Sequence, residues 1–180
     1  MKGIVFTELI DMVEAKFGAD MMDDVLDDCE LESGGAYTAV GTYDHTELLK
    51  IVGVLSKHSN IPVKELVFKY GHHLFSRFHE MMPVFFEKPN DAFEFLESVH
   101  DYIHVEVKKL YPDASLPSFE TERSGDTVLV MTYRSQCPFA DFAHGLMQGC
   151  VDFYKENIVI EGEDKNTDGE FCRVFTLMKQ

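Results

Sequence analysis

The sequence predicts an α+β fold, with a helical N-terminal lobe packed on a C-terminal lobe that holds an antiparallel sheet and long helices. Three observations predict it. Apolar residues recur at helical spacing from residue 3 to about 110, punctuated by Gly18, Pro62, Pro83 and Pro112. After Pro112 the apolar period falls to two, first in "DTVLVMTYR" and again in the closing stretch. No Gly- or Ser-rich linker separates the two styles. One domain over 1–180 is therefore expected, with a helical lobe over about 1–60 and an α+β lobe over about 61–180.

Residues 3–17 form the first predicted helix, with Ile4, Leu9, Met12 and Val13 on one face and Gly18 to end it. A short helix over 20–28 carries Met21, Met22, Val25 and Leu26. "ESGGAYTAVGTY" is turn-rich, and "DHTE" has the form of a capping box opening a helix over 45–58. Pro62 starts the next helix, which runs to about residue 80, where Pro83 breaks the pattern. "NDAFEFLESVHDYIHVEVKKLY" predicts one long helix stopped by Pro112, with a buried stripe of Leu96, Val99, Ile103, Val107 and Leu110. A hairpin over 118–134 comes next. Then come a helix in "FADFAHGLMQGCVDFYKE" and two strands, "NIVIEG" and "EFCRVFTLM", either side of the polar turn "EDKNTDG".

Composition narrows the function. Hydrophobic residues make up 45% of the 180, which is ample for a folded core. A formal net charge of −16 repels phosphate backbones and argues against nucleic acid as a partner. No apolar run reaches membrane-spanning length, and Glu8, Asp11 and Glu14 break the first apolar stretch, so a cytoplasmic protein is expected. Cys29, Cys137, Cys150 and Cys172 lack CxxC spacing and read as free thiols.

The long helix places His100 and His104 one turn apart. Three readings stand. They are ordinary partly exposed histidines. They are a metal pair, since "HDYIH" has the spacing of HExxH, with Asp101 as base in a hydrolase but no third ligand in view. Or one of them is an axial ligand to haem iron, for which the chain has the Phe, Leu and Met to build an apolar pocket. An acidic interaction module without haem is the remaining alternative.

"IHVEVKKLYPDASLP" resembles the proximal segment of the H-NOX family, the haem nitric oxide/oxygen binding domains. That family includes the haem domain of soluble guanylate cyclase and stand-alone bacterial sensors. The likeness begins at "MKGIVFTELIDMVEAKFG", passes through "YGHHLF" and "YRS", and ends with the "HGLMQG" helix and the last strands. It implies a haem b cofactor enclosed by the second lobe and no enzymatic activity. His104 matches the proximal iron ligand, leaving His100 as an accessory residue. Pro117 matches the proline that presses on the haem, a ring that cannot rotate away. The family's Tyr-x-Ser-x-Arg motif binds the haem propionates, and here Tyr133 and Ser135 match while Cys137 stands where Arg is expected. A thiol cannot supply the bidentate, charge-assisted bonds of a guanidinium. Arg134 is adjacent but on a strand points to the opposite face. Weaker anchoring, or a basic group from elsewhere, is expected.

On the distal side the same matching places Phe142 where O₂-holding members carry a Tyr, and Leu74 where they carry its supporting Asn. Val5, Leu9, Phe75, Phe78 and Leu146 complete an apolar pocket by resemblance. With no distal donor, NO sensing with little stable O₂ binding is implied, with CO also accepted. His72, His73 and His144 are the histidines that could approach that pocket. Cys172 falls where some members place a zinc ligand, but the accompanying His-x-x-Cys is absent, so no zinc is expected. The resemblance also implies a bacterial source, and a histidine kinase or cyclic-di-nucleotide enzyme on another chain as the signalling partner.

Overall fold

Glycine and proline sit at several of the element ends. The structure, a computed structural model, describes residues 1–167 and 169–180. They fall into two units, Met1–Tyr70 and Gly71–Gln180.

In the first unit, α1 (Ile4–Phe17) stops at Gly18, whose φ of 92° suits a residue without Cβ, and α2 (Ala19–Asp27) begins at once. Leu9, Met12 and Val13 of α1 are buried, as are Met22 and Val25 of α2 and Leu48, Ile51, Val52 and Leu55 of α3 (His45–Ser59). Asp44 caps α3 by accepting the Thr46 N–H at 2.7 Å. The second half of the expected capping box does not form. Glu47 is buried instead, where its carboxylate accepts the Ser33 N–H at 3.0 Å and the Ser33 and Tyr37 hydroxyls at 2.6 Å each. Burial pushes its pKa up, but these donors outweigh burial and leave it below the usual value. α4 (Val63–Met81) begins after Pro62, whose carbonyl accepts the Leu66 N–H. The buried Tyr70 hydroxyl donates to the Val5 carbonyl.

In the second unit, Pro83 ends the helical path with a single 3-10 turn, Pro83–Phe86. Then come α5 (Ala92–Ser98), a π turn (Val99–Ile103) and α6 (His104–Leu110). The strands are β1 (Ser118–Ser124), β2 (Val128–Ser135), β3 (Ile158–Thr167) and β4 (Glu170–Lys179), with α7 (Ala140–Tyr154) between β2 and β3. They pair antiparallel in the order β1-β2-β4-β3. The inward residues of β2 and β4, Leu129, Met131, Tyr133, Phe175 and Leu177, share one core with Phe93 and Leu96 of α5 and Met147, Cys150 and Val151 of α7.

Two expectations change. The long helix over "NDAFEFLESVHDYIHVEVKKLY" is not continuous, because the π turn interrupts it. One extra residue in a turn rotates the downstream helix by roughly 100°. Leu110, expected in the buried stripe, is consequently 66% exposed, while Val99, Ile103 and Val107 are half-buried. Most of "EDKNTDG" lies in β3, which continues through Thr167. β3 is an edge strand whose backbone pairs with β4 while Glu161–Lys165 face solvent, so polar side chains do not mark its end. Asp168 of that stretch lies outside the described residues.

Candidate functional site

His104 opens α6 and closes the π turn: its backbone N–H donates to the carbonyl of Val99, five residues back. Its ring is turned inward, with its centroid 5.9 Å from that of Phe119 on β1, and Phe119 lies 5.7 Å from Tyr133 on β2. His104 Nδ1 is the one buried side-chain polar atom among the described residues that lacks a hydrogen-bond partner. Burial, helped by the neighbouring His100, pushes the imidazole pKa down to about 4. The Pro117 carbonyl lies close enough to favour the protonated form slightly, without meeting hydrogen-bond geometry at Nδ1. The sequence-predicted Pro117 is thus beside His104, half-buried just before β1.

His100 differs in kind. It is exposed, and its Nδ1 accepts the Phe119 N–H at 3.4 Å. The two imidazoles are 6.4 Å apart, centroid to centroid. Among the described residues no group of three His, Cys, Asp or Glu side chains converges as a metal site. The hydrolase reading is not favoured. Phe119, between His104 and Tyr133, was not singled out from sequence. Its inward parity on the hairpin was the available signal.

Tyr133 and Ser135 end on one short loop. The Tyr133 hydroxyl donates to the Cys137 carbonyl at 3.3 Å, and Ser135 Oγ accepts the Cys137 N–H at 3.0 Å. Tyr133 is buried, which raises its pKa, so the hydroxyl stays protonated. Ser135 keeps a proton to donate, and the long Tyr133 bond is easily re-aimed. Arg134 does face away: it donates to Cys172 Sγ at 3.6 Å and lies 4.0 Å from Glu120. Arg173 stands opposite Tyr133 in the β2–β4 ladder but is held by Asp141 at 2.5 Å and by Asp164 at 2.5 Å.

α4 and α7 form the other wall of this unit. Leu74 and Phe75 are buried, and Phe78, Phe142 and Leu146 are half-buried. Two glycines let the backbones meet. A Cβ at Gly71 would sit 2.2 Å from the Phe142 carbonyl oxygen, and one at Gly149 would sit 2.7 Å from Phe75 Cβ. Phe75 also packs edge-on against Phe86, Phe95 and Phe153 in the unit's aromatic core. Phe142 brings only a hydrocarbon ring to this wall. His72 is paired with Asp152 at 2.8 Å, and the His144 ring lies 5.5 Å from that of Phe175. The remaining predicted pocket residues, half-buried Val5 and buried Leu9, lie on α1 in the first unit.

An ordinary core histidine satisfies both ring nitrogens, and a buried polar atom left unpaired costs roughly 1–3 kcal/mol. A neutral imidazole with a spare lone pair is the form that ligates a metal. With hydroxyl donors nearby and an apolar wall in the same unit, these residues fit a haem brought to His104.

The α+β fold is shared with known proteins, and the comparisons name their family. The chain belongs to the haem-NO-binding (H-NOX) family, whose model matches residues 2–162. It is similar to the unliganded Fe(II) H-NOX protein of K. algicida, at 37% identity and a TM-score of 0.93, over 100% of this chain and 97% of that one. Against the IWP-051-bound H-NOX of Shewanella woodyi in the Fe(II)CO state the identity is 42% and the TM-score 0.85, over 100% and 95%. Against the S. oneidensis H-NOX in the Fe(II)NO state they are 27% and 0.91, over 100% and 99%. No curated protein matches the chain. Among the described residues no helix is long and apolar enough to cross a membrane.

Proposed function

We propose that the whole chain is one haem-based NO sensor domain, with His104 as the proximal ligand to haem b. The carrying observation is the buried, partnerless Nδ1 of His104. Pro117, beside that imidazole, would be the rigid ring that presses on the haem. Tyr133 and Ser135 hold the propionates through their hydroxyls, and the lack of an arginine at Cys137 makes that anchoring weaker than a bidentate ion pair. Leu74, Phe75, Phe78, Phe142 and Leu146 contribute the distal wall.

When bound, haem would supply a ferrous iron that takes NO or CO, and His104 would hold that iron through its imidazole. Phe142 and Leu74 offer no proton to a bound ligand, which removes the stabilisation that O₂ needs and NO does not. With its imidazole let go, His104 would no longer tether α6, and Pro117 would no longer press on the bound group. Two states result, and NO biases them only by its unequal affinity for each. The output lies on a separate histidine kinase or cyclic-di-nucleotide enzyme in a bacterial cytoplasm, and this chain performs no catalysis.

Purification of the chain with ample porphyrin supply tests this. The expected result is a Soret band that shifts on adding NO to the reduced protein. A colourless folded protein would overturn it.

A further inference from the structure

We propose that the Val99–Ile103 π turn is the positioning element that aims His104 inward, and that it rewinds to α-helix when the imidazole is let go, turning α6 about its axis. This rests on the haem reading above. The bond that closes the turn comes from His104 itself, N–H to the Val99 carbonyl. In an α-helix the same N–H would reach the His100 carbonyl. Changing that one partner takes a residue out of the wide turn and rotates everything after it by roughly 100°. The imidazole would leave its place beside Phe119, so the wide turn and the inward ring are one geometric state.

The two sides of the turn are held very differently. Upstream, Asp91 caps α5 through the Glu94 N–H at 2.8 Å, Lys179 bridges Asp91 at 3.2 Å and Glu156 at 2.7 Å, and Arg123 reaches Glu97 at 3.1 Å. Phe93, Phe95 and Leu96 bury that helix in the core. Downstream, every residue of α6 is half-buried or exposed, and among the described residues its one ion pair, Glu106–Lys109 at 2.6 Å, is internal. Rotation at the turn therefore moves α6 and leaves α5 in place. The wide turn is kept by the half-buried Val99 and Ile103 against the core, by the 3.4 Å bond from Phe119 to His100, and by the inward imidazole. Against them stands the better hydrogen-bond geometry of the α-helix. Of these holds the inward imidazole is the one that its release removes, and that loss biases such an element. What turns is a face of exposed Val105 and Leu110 with Lys108 and Lys109, apolar and basic on a chain of net charge −16.

The test is hydrogen–deuterium exchange over residues 99–110, read beside the absorption spectrum of the haem-loaded protein, reduced and with NO. Two variants sharpen it. Deletion of Asp101, an exposed residue of the turn, removes the extra residue and leaves α6 in its present orientation on a continuous α-helix. His104→Gly supplied with imidazole keeps the iron ligated but unties it from the backbone. In the wild-type chain NO should slow exchange of the 99–104 amides at least several-fold. His104→Gly with imidazole should exchange slowly before NO is added. The deletion should exchange slowly with and without NO while its Soret band still shifts. A Soret shift with unchanged wild-type exchange would overturn the inference and leave the haem reading standing. So would fast exchange in His104→Gly with imidazole, a contrast that decides alone if the deletion does not fold. A chain that takes up no haem would overturn both.

Discussion

The proximal segment Val99–Leu110 and the helix α7, Ala140–Tyr154, belong to the same unit and are built on opposite plans. α7 buries Ala143, Gly145, Met147, Gly149, Cys150 and Val151. Its Gly149 meets α4 with no room for a methyl group. The proximal segment keeps all its residues at least partly exposed, opens with a π turn, and holds the one unsatisfied buried side-chain atom among the described residues. Close packing resists small displacements, whereas a helix held by a few side chains moves when one is released. The contrast separates a closely packed wall from a helix that few side chains hold; under the proposed function the first would select the ligand and the second would report it.

The largest expected effect breaks the proximal side. His104→Gly should weaken haem retention by more than the roughly 10–100-fold that loss of a supporting partner costs, with added imidazole restoring the Soret band. His100→Ala should leave the spectrum nearly unchanged. In the haem-free protein the same imidazole should act through pH. His104 has an unfolded pKa of about 6.5 and a folded value of about 4. Its contribution is fully present above pH ~6.5 and is lost as pH falls to ~4, because the unfolded chain takes up a proton that the folded one refuses. The loss should be on the order of 2–3 kcal/mol in urea unfolding, and His104→Phe should abolish that part of the pH dependence.

The distal wall should fail differently. Gly71→Ala forces a Cβ onto the Phe142 carbonyl and should cost about 1–3 kcal/mol of stability, seen as a lower Tm. Phe142→Tyr adds a donor at the same wall. One hydrogen bond of about 0.5–1.5 kcal/mol should slow O₂ release roughly 2- to 12-fold in flash photolysis, while unchanged release would place that ring away from the ligand. The smallest effect should be Leu110→Ala on the exposed end of α6, within about 0.5 kcal/mol in thermal unfolding.

Much of this architecture was legible in the residues. Gly18, Pro83 and Pro112 ended helices and Pro62 opened one where the chain turns, because they act on the backbone locally. Alternation along β2 fixed which face Tyr133 and Arg134 take. The π turn was not legible. Val99–Ile103 has nothing in its composition to distinguish it from α-helix, and only tertiary contacts choose the wider turn. For the same reason Leu110 was misplaced, and the spacing of His100 and His104 could not say which ring is buried. Glu47 shows the converse failure. Its capping-box position was readable, but its burial among Ser33 and Tyr37 depends on a loop far from it in sequence. Resemblance to a family supplied the site roles that spacing left open.

Resonance Raman spectra of the reduced, unliganded protein carrying ¹⁵N-labelled histidine bear most directly on His104 as the ligand that is released. An iron–histidine stretching band that shifts with the isotope, persists in His100→Ala, and disappears both in His104→Gly and on adding NO is the predicted result. A band that survives in His104→Gly, or that depends on His100, would contradict it.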